Sequence, residues 1–209
     1  MPIRLGGAFV LANCKFADSR AVGTLGRWKL PRTGGKVSDS RAEDALEFCA
    51  LARKRWRSYS SLDRTATTLS ELRTRIAEES RTEVAMMVLV VAPEASDPLG
   101  FCLFRRTWCN HIVLDLLATN PAAPTGTGRI GVGILFWVAS VAEAIDAGLL
   151  WGEATESSAE YYRQWFDLPI VGDVFQIQAP VYRAFRVKYL NRWAETGLPA
   201  DPERFQLPS

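Results

Sequence analysis

The sequence predicts an α/β (α+β) fold, a mixed and mostly antiparallel central sheet flanked by helices. Three observations carry this. Apolar runs of strand length at 84–91, 99–107 and 111–118 are joined by short links, the mark of an antiparallel meander. Segments of helical period precede them, and helices alternate with strands after them. Of the 209 residues 48% are hydrophobic and 23% charged, which supplies a core and excludes disorder.

In chain order, residues 1–38 are rich in glycine and basic residues, with a strand or arm over 1–12, a strand at 22–29 and a turn at 31–35. A capping box, Ser40-Arg41-Ala42-Glu43, opens a helix whose Ala42, Ala45, Leu46, Cys49 and Trp56 keep helical spacing. A second box, Thr68-Leu69-Ser70-Glu71, opens a shorter helix with Leu72 and Ile76 inward. The run 84–91 is apolar without interruption, which implies burial on both faces of its strand. A Pro/Thr/Gly loop at 120–128 leads into a long helix over 130–147, stopped by Gly148. A strand at 149–155, a short helix at 157–165 and a strand at 171–178 follow. Tyr182, Phe185, Tyr189 and Trp193, spaced by 3 and 4, predict a helix over 181–195. The Pro-rich tail from Gly197 is expected to wrap the surface. The expected organisation is one domain over 1–209, with a variable arm (1–20) and tail (197–209).

Several classes are excluded or disfavoured. The apolar stretch 130–142 falls short of the roughly 20 residues that span a bilayer, so no membrane partner is expected. Cys14, Cys49, Cys102 and Cys109 form no CxxC pair and fall in elements expected to be core, which suits reduced thiols and a cytoplasmic location. His111, the single histidine, with Cys102 and Cys109 lacks a fourth ligand, so no metal is expected. The net charge of +2 hides an asymmetry: residues 1–75 hold 15 Lys/Arg against 7 Asp/Glu, and the remainder is acidic. Within the basic part, Arg53-Lys54-Arg55-Trp56-Arg57 reads first as a solvated helix end and second as a grip for RNA or an anionic substrate.

The stretch Gly126-Thr127-Gly128-Arg129-Ile130-Gly131-Val132-Gly133 runs directly into the long helix. Glycines there let backbone N–H groups approach a ligand at a helix N-terminus, where phosphate is favoured, and Arg129 adds a full charge. Close helix–sheet packing is the competing account of the same glycines. A P-loop fails, because no Lys follows Gly131. A dinucleotide fingerprint fits as Gly126-x-Gly128-x-x-Gly131, but it belongs to a doubly wound parallel unit, which the meander disfavours.

These residues resemble the GNAT superfamily of N-acetyltransferases. The family's phosphate motif, Arg/Gln-x-x-Gly-x-Gly/Ala, aligns on Gly128, Arg129, Ile130, Gly131, Val132 and Gly133, with Ala144 and Gly148 at the family's spacing in the helix that follows. Ser158-Ala159-Glu160-Tyr161-Tyr162 is similar to the family's short helix, with Tyr162 at its recurrent tyrosine. The resemblance covers about residues 84–178. The chain departs from the pattern at Gly128, which replaces the leading Arg/Gln, in a longer loop after Pro121, and at Phe166-Asp167 where the family has Gly-Phe.

The resemblance implies a transferase that moves the acetyl group of acetyl-CoA, as co-substrate, to a primary amine by direct attack. It places the pyrophosphate on the amides of Gly128, Arg129, Ile130, Gly131, Val132, Gly133 and Ile134, and the pantetheine beside Leu116, Leu117 and Ala118. Tyr162 is then the acid that protonates the leaving thiolate, and Asp115 or Glu153 the base. Asp115 stands in an apolar strand, where a carboxylate needs either a cleft or an ion pair, with Arg105 or Arg106 the candidates. The alternatives are a catalytically silent acyl-CoA-binding or interaction module of the same fold, or an NAD(P)-dependent oxidoreductase. The acceptor is an amine of unknown class, and the basic excess favours an anionic one. Exposed aromatic residues near the C-terminus would suit a homodimer.

Overall fold

A computed structural model describes residues 1–30, 40–93, 95, 97–124 and 126–199. The turn expected at 31–35, the side chain of Ser40 and the tail from 200 lie outside the described residues. The chain opens as an antiparallel hairpin of Pro2–Leu5 (β1) and Ala8–Leu11 (β2). Its turn needs Gly6 and Gly7, whose φ angles of 57° and 89° are left-handed. Asn13–Phe16 (β3) then forms an edge of the main sheet.

The strand expected at 22–29 is instead a helix, Ser19–Gly23 (α1), continued by a 3₁₀ turn at Thr24–Arg27. Asp18 caps α1, accepting the N–H of Ala21 at 2.7 Å. Val22, Leu25 and Trp28 are buried at intervals of three, a helical period that strand propensity concealed. Next come Ser40–Ser61 (α2) and Leu69–Glu78 (α3). The box opening α3 is half as expected. Thr68 Oγ1 accepts the Glu71 N–H, whereas the Glu71 carboxylate takes the N–H and hydroxyl of Thr67.

Val84–Val91 (β4), Gly100–Arg106 (β5) and Ile112–Thr119 (β6) form the predicted meander. Ile130–Ala144 (α4) crosses to Leu149–Glu153 (β7), which lies parallel to β6. Glu156–Phe166 (α5), Val174–Gln178 (β8) and Ala179–Ala194 (α6) complete the order. The main sheet runs β3-β4-β5-β6-β7-β8, with β6 and β7 its parallel neighbours and the other pairs antiparallel. The fold is therefore mixed α/β and mostly antiparallel.

Both faces of the sheet are covered, which explains the uninterrupted apolar run of β4. Val84, Met86, Val88 and Val90 join the core beneath α4 and α6, while Met87 and Leu89 join the core beneath α1 and α2. Buried from Ile130 to Ala142 apart from Gly131, α4 lies between the sheet, α6 and β1. Residue Gly148 does not stop it: Asp146, at φ 53°, takes the left-handed position after the helix end. Tyr182, Phe185, Tyr189 and Trp193 are all buried, Tyr189 stacking on Phe136 at 4.6 Å. The aromatic stripe is thus used inside the chain, which removes the reason for expecting a dimer from it.

Candidate functional site

The sheet divides between β6 and β7. On one side β6 pairs with β5 from Ile112 to Thr119; on the other it pairs with β7 only at Ile112–Leu150, Val113–Trp151 and Leu114–Gly152. Meanwhile β7 stays with β8 through Glu153–Val174. The cause lies one residue beyond the last rung. The β5–β6 register shifts between Leu103 and Phe104, so Asp115 is the extra residue of a bulge, and a bulge bends its strand. At the last rung itself a Cβ on Gly152 would sit 2.9 Å from the Leu114 carbonyl, so glycine permits that approach. Beyond it the wedge-facing edge of Leu116, Leu117 and Ala118 pairs with no strand among the described residues.

The start of α4 closes the wedge. Arg129, with φ 64°, turns the chain into the helix, and the N–H groups of Ile130, Gly131 and Val132 have no intrahelical acceptor. The Gly133 N–H already reaches the Arg129 carbonyl at 3.2 Å, and Ile134 lies deeper in the helix, where its N–H serves the helical ladder. The Gly128 amide is engaged as well, donating to the Arg4 carbonyl at 2.9 Å while the Arg4 N–H donates back at 3.0 Å. Among the described residues these bonds take Gly128, Gly133 and Ile134 out of the run 128–134, and the amides of Ile130, Gly131 and Val132 stand at the helix start without an intrahelical acceptor.

Arg4 is the residue that sequence reasoning missed. Its Cβ lies 3.8 Å from where a Gly128 Cβ would stand, so β1 brings a side chain to the place where the family motif carries Arg or Gln. Arg129, exposed, lies with its guanidinium 4.8 Å over the Phe9 ring. The glycines also serve packing. A Cβ on Gly131 would meet the Tyr161 hydroxyl at 3.0 Å and Leu117 Cδ2 at 3.8 Å, and one on Gly133 would meet Met1 at 2.4 Å. Close packing therefore accounts for glycine at 131 and 133.

Two hydroxyls beside this helix start, those of Tyr161 and Tyr189, are buried without a hydrogen-bond partner among the described residues. Burial pushes both upward from the ordinary phenol range. Tyr162 sits deeper along the wedge. Its ring stacks on Phe175 at 4.1 Å, and Phe175 is the β8 partner of Gly152, the glycine of the last parallel rung. Burial raises the Tyr162 hydroxyl too, so it stays protonated at neutral pH.

Asp115 occupies the opposite face, beneath α2. Both its oxygens accept from Arg105 Nε at 3.1 Å, and Arg55 of α2 comes within 3.5 Å. Arg105 also pairs with Glu83. Burial raises the Asp115 carboxyl despite the pull of Arg105, and the charge of Glu153 on β7 adds to the rise. Glu153 itself is exposed. Arg106 is not the partner: it is buried and donates to the carbonyls of Ser80 and Thr82 at 2.7 and 2.8 Å.

Arg55, Ser58, Tyr59, Arg105 and Asp115 line a pocket of about 360 Å³. The basic run of α2 is accordingly divided. Arg53 packs on Gly26, Trp56 is buried with its Nε1 donating to Ser19 Oγ at 3.2 Å, and Arg55 faces the pocket. Because α2 continues to Ser61, the run is not the helix end. Cys102 is buried under α4 while Cys109 is exposed, so the thiols around His111 do not share a site and Cys109 is no core residue. No described helix is long and apolar enough to cross a membrane.

Fold and cleft together are those of a mixed α/β sheet split at its parallel pair, in line with the GNAT resemblance. No family model matches the chain, and no curated protein matches it. Among solved structures it is similar to a proposed acetyltransferase of the GNAT family from Desulfovibrio desulfuricans, at 14% identity over 81% of this chain and 99% of that one, with a TM-score of 0.43. It is likewise similar to the PaiA N-acetyltransferase of Thermoplasma acidophilum, solved with coenzyme A, at 12% identity over 80% and 97% of the chains, TM-score 0.45. Nourseothricin acetyltransferase matches at 17% identity over 38% of this chain, TM-score 0.33, and the match spans about half of that protein, 48%.

Proposed function

We propose that the chain is an N-acetyltransferase that moves an acetyl group from acetyl-CoA to a primary amine by direct attack. The observation that carries this reading is the wedge between β6 and β7, opening onto the free amides of α4. An extended pantetheine can pair with the unpaired edge of Leu116, Leu117 and Ala118 as a further strand would. The pyrophosphate then meets the N–H groups of Ile130, Gly131 and Val132, with Arg4 and Arg129 as counter-charges.

At the inner end of the wedge the amine nitrogen attacks the thioester carbon. A C–N bond forms, the C–S bond breaks, and the electron pair of that bond leaves with sulfur. The nitrogen's proton passes to the Asp115 carboxylate, or through water to Glu153, and Tyr162 supplies a proton to the thiolate. In this reading the tetrahedral oxyanion is stabilised by unpaired N–H groups of the β6 edge. Exchange with solvent restores both side chains, so the products are the amide and the free thiol.

A second reading, a silent acyl-CoA-binding or interaction module, is favoured by two observations: the Gly128 amide is taken by Arg4, and Asp115 is neutralised by Arg105. The oxidoreductase reading finds a single parallel pair, β6 with β7, around its fingerprint and not a doubly wound parallel sheet, since every other pair of the main sheet is antiparallel. Thermal-shift titration with acetyl-CoA, CoA and NADH separates the three, and stabilisation by NADH alone would overturn the acetyltransferase reading. If CoA compounds bind, thiol release against pooled amines, peptides and aminoacyl-tRNA decides between enzyme and silent module.

A further inference from the structure

The pocket on the α2 face has a charge arrangement that a simple amine would not match. Among the described residues its lining comes from α2 (Arg55, Ser58, Tyr59), β5 (Arg105) and the β6 bulge (Asp115). Positions 55, 58 and 59 share one helix face, because residues three and four apart are neighbours. The two arginines differ in what they have left to give. Arg105 is engaged on both sides, with Asp115 through Nε and with Glu83 through its terminal nitrogen. Arg55 approaches Asp115 at 3.5 Å, too far for a good hydrogen bond, and its side chain is 50% exposed. Arg55 carries five N–H donors and lines the pocket beside Ser58 and Tyr59.

Asp115, with 6% of its side chain exposed, presents a carboxylate next to this cationic group, and the charge of Glu153 is felt there as well. A bare anion would be repelled by Asp115 and a bare cation by Arg55. A ligand satisfying both must carry the two charges about as far apart as the groups that read them. The ammonium and carboxylate of an α-amino acid lie about 3 Å apart by standard bond lengths. The pocket volume, about 360 Å³, falls at the small end of the range for small-molecule sites.

We infer that this pocket binds the acceptor, and that the acceptor is a free α-amino acid whose carboxylate is held by Arg55 with Ser58 and Tyr59 and whose amine faces Asp115. The inference rests on the acetyl-transfer reading for its chemistry, yet the binding it claims is measurable without it. Docked this way, the amine lies at the bulge, one residue past the last β6–β7 rung, where the inner end of the wedge delivers the thioester.

The test is calorimetric titration of the full chain, without acetyl-CoA, with the common L-amino acids singly and with the α-amide of each that binds. At least one amino acid binds, its amide binds about tenfold more weakly or worse, and Arg55→Met abolishes the difference. The same variant keeps its affinity for acetyl-CoA, since Arg55 belongs to α2, which covers the face of the sheet opposite α4. Equal binding of acid and amide, or no amino acid binding below about 10 mM, overturns the inference. Amino-acid binding without thiol release from acetyl-CoA leaves the pocket assignment standing and overturns the acetyltransferase reading instead. Transfer to amines lacking a carboxylate as readily as to amino acids does the reverse.

Discussion

Removing one oxygen from each of two adjacent tyrosines separates chemistry from packing in this cleft. In Tyr162→Phe the ring keeps its 4.1 Å stack on Phe175, so the stability change stays within about 1 kcal/mol, the scale of one hydroxyl. If the hydroxyl protonates the thiolate, turnover falls about 10²- to 10⁴-fold, or roughly 3–5 kcal/mol of barrier. Tyr161→Phe has the opposite signature. Its hydroxyl is buried beside Gly131 without a partner among the described residues, an arrangement that costs about 1–3 kcal/mol, so its deletion stabilises the chain. For a domain of this size each kcal/mol raises Tm by roughly 2–4 °C. Turnover changes less than in Tyr162→Phe, and the effect falls on the KM for acetyl-CoA. The assay pairs thermal melts of the apo protein with thiol-release kinetics on both variants. A Tyr162→Phe enzyme that turns over at the wild-type rate with an unchanged Tm would refute the acid assignment. A Tyr161→Phe protein that melts lower would refute the accounting of its hydroxyl.

Four further outcomes are expected. Gly152→Ala puts a Cβ 2.9 Å from the Leu114 carbonyl and 3.0 Å from Phe175 Cζ, so it should cost about 1–3 kcal/mol in denaturant melts and raise the KM for acetyl-CoA; a neutral variant would mean that the wedge does not depend on that rung. Arg4→Ala keeps the backbone bridge to Gly128 but loses a cation, so acetyl-CoA affinity should fall several-fold and depend less on salt, as calorimetry at two ionic strengths would register. The Asp115 carboxyl is raised above 3.8, and a base works when deprotonated, so kcat/KM should rise with pH through a value above 3.8; Asp115→Asn should lose that limb, and a variant that keeps it exonerates Asp115. Among the cysteines, burial pushes Cys49 up to about 12 and Cys14 and Cys102 well above 9.0, so a thiol reagent at neutral pH should label Cys109 fast and the others only on unfolding.

What the sequence determined by itself was local and periodic. The uninterrupted apolar run of β4 required two covered faces, and α1 and α2 on one side with α4 and α6 on the other provide them. The glycine turn running into an apolar helix marked the start of α4, because left-handed turns and free helix amides are written in neighbouring residues. Where two periods compete the local signal misled: Val22 and Trp28 carry β-favouring side chains, yet with Leu25 they keep a helical interval, and packing against α2 chose the helix. The aromatic stripe of α6 named a face without naming its partner, and only the fold showed that Phe136 and Trp165 meet it from within the chain.

Tertiary structure alone decided the composition of the cleft. Nothing near Gly128 announces that Arg4 will pair with it, since a bridge between residues so far apart depends on how the hairpin docks. The bulge at Asp115 likewise arises from the register of β5 against β6, and its consequences, a parted sheet on one face and a carboxylate set beside Arg55 on the other, follow from that single shift. Periodicity reports which way a side chain faces along its own element. Which groups from other elements share that space is set by register and docking, and those are properties of pairs of segments.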